Sequence, residues 1–152
     1  MHVEWLTDLA KVEQIVNSAD VGPFVLEGSK FVASPLCKYL GVYAGEELVG
    51  VYIFIQRLRY MWEVHTCLLK QCRGKLAIEA GRLAMAKLFS DVDLECLTTF
   101  VPSTFLHVIA YTKRMGFTLC GVMPKCFYYQ IVQDCFLYAI TREEANVCLL
   151  QQ

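Results

Sequence analysis

The chain has 152 residues, 56% hydrophobic and 19% charged, with a formal net charge of −1. That length fits one domain over residues 1–152, and an apolar share above the usual ~45–50% calls for a large core. The near-zero charge gathers no nucleic acid, and no apolar run reaches the roughly 18–20 residues that span a bilayer.

Residues 1–14, MHVEWLTDLAKVEQ, carry acids and no apolar signal core, so no targeting peptide is expected and the chain reads as cytoplasmic. Eight cysteines without paired spacing suit reduced thiols in such a compartment. Cys67 and Cys72, and Cys120 and Cys126, stand wider apart than structural zinc pairs, so no metal is expected.

His2–Leu6 predicts a short strand. Asp8 can cap a helix over 9–18, where Leu9, Val12, Ile15 and Val16 recur at helical spacing. Residues 19–38 read as an irregular loop with one short helix, and a loop of that length often borders a binding site. Tyr39–Ala44 and Leu48–Gln56 flank Gly45-Glu46-Glu47 as a hairpin, and 61–69 is the next strand. A basic turn, 70–76, leads into a helix over 77–89. Ala77, Ala80, Gly81, Ala84, Met85 and Leu88 form its inner stripe.

Leu94–Val101 predicts a further strand. Pro102-Ser103 opens a second helix with Ser103 as N-cap, and Leu106, Ile109, Ala110 and Met115 face the core. Lys113 and Arg114 suit its last turn, and Gly116 its left-handed stop. Phe117–Met123 and Asp134–Thr141 read as closing strands.

A strand running into a basic Gly turn and then a helix offers amides and positive charge to an anion. With Gly74, Glu79-Ala80, Arg114–Phe117, Asp134 and Thr141–Glu144 in this order, residues 39–144 resemble the GNAT (Gcn5-related N-acetyltransferase) superfamily. The likeness is greatest to its ribosomal-protein N-terminal acetyltransferase branch. Glu63, His65, Arg73 and Gly74 also resemble short GNAT-like proteins of tailed bacteriophages.

The resemblance implies an α/β fold: a twisted, mostly antiparallel mixed sheet of six or seven strands, split near the Glu63 strand, with helices on both faces. It implies acetyl-CoA as co-substrate and an amine acceptor, either a protein N-terminus or a small molecule. Arg73, Gly74, Lys75, Leu76 and Ala77 would hold the pyrophosphate, and backbone groups of Cys67, Leu68 and Leu69 the pantetheine arm. The family turn, Gln/Arg-x-x-Gly-x-Gly/Ala, starts here at Gln71, with Gly74 first and Leu76 in place of the second small residue.

Where many family members carry a tyrosine acid this chain has Thr112. Tyr111 is the neighbouring phenol, about 100° around the helix. Phe105 stands where an asparagine is frequent. Glu63 and His65, two apart on a strand, share a face and are the candidate base and its partner. Phe127, Tyr128 and Tyr129 are candidates for an acceptor pocket. A homodimer is compatible with the apolar share. The departures at Leu76, Phe105 and Thr112 favour a second class: a degenerate, non-catalytic module that binds a partner or oligomerises.

Overall fold

The computed structural model describes residues 1–150; residues 151 and 152, the end of the expected domain, lie outside it. The strands are β1 (His2–Leu6), β2 (Lys38–Ala44), β3 (Glu47–Leu58), β4 (Met61–Leu68), β5 (Cys96–Pro102), β6 (Thr118–Tyr129) and β7 (Ile131–Thr141). The helices are α1 (Leu9–Val16), α2 (Gly22–Val25), α3 (Lys75–Asp91), α4 (Leu106–Arg114) and α5 (Arg142–Leu150). Among the described residues the sheet runs β1-β2-β3-β4-β5-β7-β6, and only β4 and β5 pair in parallel. This is the mixed, mostly antiparallel architecture expected.

Among the described residues, apolar clusters cover both faces. The small-residue stripe of α3 packs on Leu40, Val42, Tyr52, Phe54, Trp62 and Val64. Absence of bulk at Ala77, Ala80, Gly81 and Ala84 lets this helix lie close to the sheet. On the other face Val12, Ile15 and Val16 of α1 pack on Tyr39, Val51, Ile53 and Cys67. Asp8 caps α1, accepting from the amides of Ala10 and Lys11.

Parallel pairing of β4 with β5 runs only from Met61–Cys96 to Glu63–Thr98. Beyond Glu63 the two strands part, and β4 continues to Leu68 with β3 alone as partner. The split falls at the strand position expected.

Several boundaries differ from the sequence reading. Helix α3 begins at Lys75 rather than 77, because Gly74 takes φ 68° and ψ −126°, a conformation that only glycine adopts readily. Ser103 is not a cap; its amide donates to the Asp134 carbonyl, and α4 starts after Phe105 with no side-chain cap. Leu106 and Ala110 face solvent instead of the core, and Thr112 and Met115 are buried. Strand β6 outruns its expected end at Met123 because two irregularities, at Leu119/Gly121 and Met123/Phe127, carry it on to Tyr129.

The closing Thr141–Glu144 run opens α5, which the sequence reading did not include. Thr141 Oγ1 accepts from the Glu144 amide, and Glu144 Oε2 accepts from the Thr141 amide, a reciprocal helix cap. Arg142 donates to the carbonyls of Phe89, Val92 and Leu94 and so closes the end of α3. Thr141, Arg142 and Glu144 therefore all serve as fastenings.

Gly81 sets how closely α4 approaches α3. A Cβ there would collide with the Tyr111 hydroxyl and the Met115 thioether. Gly81→Ala is expected to cost about 1–3 kcal/mol by overpacking, read as a lowered urea midpoint. Unchanged stability would show that α4 can move aside freely.

Candidate active site

The site is built around the parting of β4 and β5. Side chains alternate along β4, so Glu63, His65 and Cys67 point to the α1 face, while Trp62, Val64 and Thr66 point to the α3 face. His65 Nε2 lies 2.7 Å from Glu63 Oε1, and Arg57 Nε donates to Glu63 Oε2 at 2.8 Å. Glu63 is buried, with a side chain 8% exposed, whereas His65 and Arg57 are 44% and 47% exposed. The sequence places Glu63 with His65; Arg57 is an addition made by the structure.

Bonding to His65 and then to Arg57 outweighs the opposing effect of burial and holds the Glu63 carboxyl at about 2 against the usual 4.5. A depressed carboxyl stabilises the fold fully above its unfolded value and loses that contribution as pH falls through the folded one. Stability is therefore expected to drop by about 3 kcal/mol between pH 4.5 and 2. Urea unfolding across that window should show a steeper loss in wild type than in Glu63→Gln. Parallel pH profiles would remove Glu63 as the source.

Tyr111 projects from α4 into the α3-side core. Its hydroxyl is 3.0 Å from that of Tyr52. Burial pushes its phenol up to about 12, and it also bonds to Thr66. Tyr52 and Thr66 are cross-strand partners on β3 and β4. Thus His65 and Tyr111 stand on opposite faces of β4 at adjacent residues, 65 and 66. Thr112 is buried and donates its hydroxyl to the Val108 carbonyl, so it has no proton for chemistry.

The basic turn follows β4. Lys70–Cys72 form one 3₁₀ turn, then Gly74 leads into α3, whose first amides have no side-chain cap. Arg73, Gly74, Lys75 and Leu76 are exposed, whereas Ala77 is buried and offers only backbone. Asp20 ties the α1–α2 segment to this turn: its carboxylate accepts from the Lys70 amide at 2.8 Å, and Arg73 donates to its carbonyl at 2.7 Å. Lys75, Arg82 and Arg114, with Glu79, line a cavity of about 620 Å³ between the outer face of α3 and the end of α4.

The Leu69 amide donates to the Val49 carbonyl at 2.9 Å, so the Leu69 and Cys67 amides face β3. Strand N–H groups alternate sides, which leaves the amides of Thr66 and Leu68 facing the gap. Cys67 is 2% exposed, and burial pushes its thiol up to about 12, which excludes a nucleophilic role.

An aromatic cluster joins α2 to the start of α4 and the end of β6. Phe24 of α2 lies 6.4 Å from Phe105 and 5.5 Å from Tyr129, and Phe105 lies 6.0 Å from Phe127. The Tyr128 amide donates to Glu27 Oε1 at 2.6 Å, joining the α2 loop to the β6–β7 hairpin. Tyr129 thus meets the loop that sequence suggested as a site border, Phe127 packs on Phe105, and the Tyr128 side chain is exposed.

The family model described as "Protein of unknown function (DUF2824)" matches residues 5–152. The chain belongs to this family. No curated protein matches it. Among solved structures, the spermidine N-acetyltransferase from Vibrio cholerae in complex with CoA and spermine is 13% identical, with 95% of this chain and 98% of that chain covered and a TM-score of 0.78. The smu.2055 protein from Streptococcus mutans UA159 is 16% identical over 93% and 99%, with a TM-score of 0.74. The ribosomal L7/L12 alpha-N-protein acetyltransferase RimL is 19% identical over 70% and 61%, with a TM-score of 0.62. At these identities the likeness shows the fold: this DUF2824 chain has the GNAT acetyltransferase fold.

Proposed function

We propose that this DUF2824 protein transfers an acetyl group from acetyl-CoA to an amine. The observation that carries the reading is the arrangement at the β4–β5 gap, where an imidazole and a phenol flank one strand from opposite faces. When bound, acetyl-CoA supplies an activated acetyl group: the amine nitrogen bonds to the acetyl carbon as the carbon–sulfur bond breaks.

The residues present fit that co-substrate. The uncapped start of α3 with Arg73 and Lys75 suits a pyrophosphate, and the Lys75, Arg82 and Arg114 cavity suits a further phosphate. The Thr66 and Leu68 amides suit a pantetheine arm. His65 acts as the base. Its Nε2 is bound to Glu63, so Nε2 carries the hydrogen and Nδ1 presents the lone pair that takes the amine proton. Glu63, already held near 2, is too weak a base for that proton; it fixes the ring and stabilises the imidazolium. Tyr111 keeps its proton at neutral pH and holds it for the departing sulfur.

Calorimetric titration with acetyl-CoA tests the reading. One site with micromolar affinity supports it. Absence of binding at millimolar acetyl-CoA would support the non-catalytic module, which the exposed Leu76 and the buried Phe105 favour. A reducing, cytoplasmic setting belongs to the same proposal. Titration of unfolded, unreduced protein should count close to eight thiols, and a count near zero would overturn that setting.

A further inference from the structure

Arg57 bears on which amine is accepted. Strand β3 has a register shift between Gln56 and Leu58 where it pairs with β4. Ile55 pairs with Glu63, so Arg57, two residues further along β3, falls on the same face, and at this irregular end of the pairing its guanidinium reaches the Glu63 carboxylate. Only Nε is used, at 2.8 Å; neither Nη makes a hydrogen bond among the described residues. The side chain is 47% exposed although its anchor is buried. A planar fork held at its base and open at its tip is the group that binds carboxylates with two parallel bonds.

The anchor is shared. His65 occupies one oxygen of Glu63 and Arg57 the other, so the open fork stands beside the imidazole. With His65 neutral the three groups sum to zero charge, and with His65 protonated to +1. Such a cluster repels a second ammonium and attracts an anion. The Arg57 charge also favours the uncharged form of an incoming amine, which is the form that reacts.

We propose that Arg57 binds a carboxylate carried by the acceptor, so that the amine acetylated beside His65 belongs to an amino acid. This inference rests on the transfer reading above and narrows it. It sets aside a polycation and an uncharged peptide N-terminus as preferred acceptors.

Two product-like probes separate the possibilities without turnover. N-acetylphenylalanine and N-acetyl-2-phenylethylamine differ only in the carboxylate. Calorimetry on the wild-type chain should show the acid binding about tenfold tighter or more. Arg57→Gln should abolish that preference. Arg57→Lys, which keeps the charge next to buried Glu63 but not the fork, should fold and lose most of it. Thermal unfolding confirms the fold of each variant.

Acetyl-CoA titration on the same samples reads the transfer proposal separately. Preference for the acid with no acetyl-CoA binding would keep the Arg57 site and sink the transferase. Acetyl-CoA binding with equal affinity for both probes, with neither probe bound, or with a preference that survives in folded Arg57→Lys, would overturn the Arg57 assignment.

Discussion

His65→Ala is expected to lower acetyl transfer by about 10²–10⁴-fold, the contribution of a positioned base, with acetyl-CoA affinity essentially unchanged. The separation follows from geometry. His65 is on the α1 face of β4, while the turn that suits the pyrophosphate begins after the strand ends. Its exposed ring can be removed without opening a core cavity. Glu63→Gln tests the positioning role: the amide can still accept from Nε2 but cannot stabilise an imidazolium, so turnover should fall here too. Acetyl-CoA affinity and initial rates with an accepted amine decide the matter. Wild-type turnover in His65→Ala would discard the imidazole as base. Joint loss of affinity, turnover and stability would make the pair structural.

Charge reversal at the turn has the second large effect. Arg73→Glu with Lys75→Glu is expected to weaken acetyl-CoA by about 100-fold or more, because two charge-assisted contacts become repulsive. Both side chains are exposed, and among the described residues the one hydrogen bond lost is that from Arg73 to the Asp20 carbonyl. Gly74 is left in place because its φ of 68° and ψ of −126° would strain any other residue. Circular dichroism and calorimetry on the double variant check the point. Full affinity in a folded variant would place the pyrophosphate elsewhere.

Much of the framework was legible because it follows from periodicity and turn chemistry. The stripe from Ala77 to Leu88 marked the buried face of α3, and Gly45 marked the β2–β3 hairpin. The pair Glu63 and His65 could be placed together because residues two apart on a strand share a face. Arg57 could not, since its place beside Glu63 depends on Ile55 pairing with Glu63 across two strands, which the pattern of neither strand alone fixes. Tyr52 was hidden for a different reason: on a strand apolar nearly throughout, its hydroxyl has meaning only once α4 brings Tyr111 against it. Phe24 and Asp20 lie in the irregular 19–38 segment, and the contacts that bring them to the site are made at long range.

The α5 helix was missed although its signal was present. Thr141-x-x-Glu144 is a reciprocal capping pattern, and Glu144 accepts both the Thr141 amide and hydroxyl. Read only as a motif ending, it lost its local meaning. The Ser103 cap failed in the opposite way. A good N-cap residue followed proline, but pairing of the Ser103 amide with Asp134 kept this stretch in the sheet's hydrogen bonding, so the helix began later.

The most direct measurement is acetyl transfer itself. The chain is incubated with acetyl-CoA bearing a carbon-13 acetyl group and with a panel of free amino acids, polyamines and peptides, and the products are read by mass spectrometry. The expected result is a labelled N-acetyl amino acid that forms with time and is lost in His65→Ala. Binding of acetyl-CoA with no labelled amine from any member of the panel would contradict the transferase assignment.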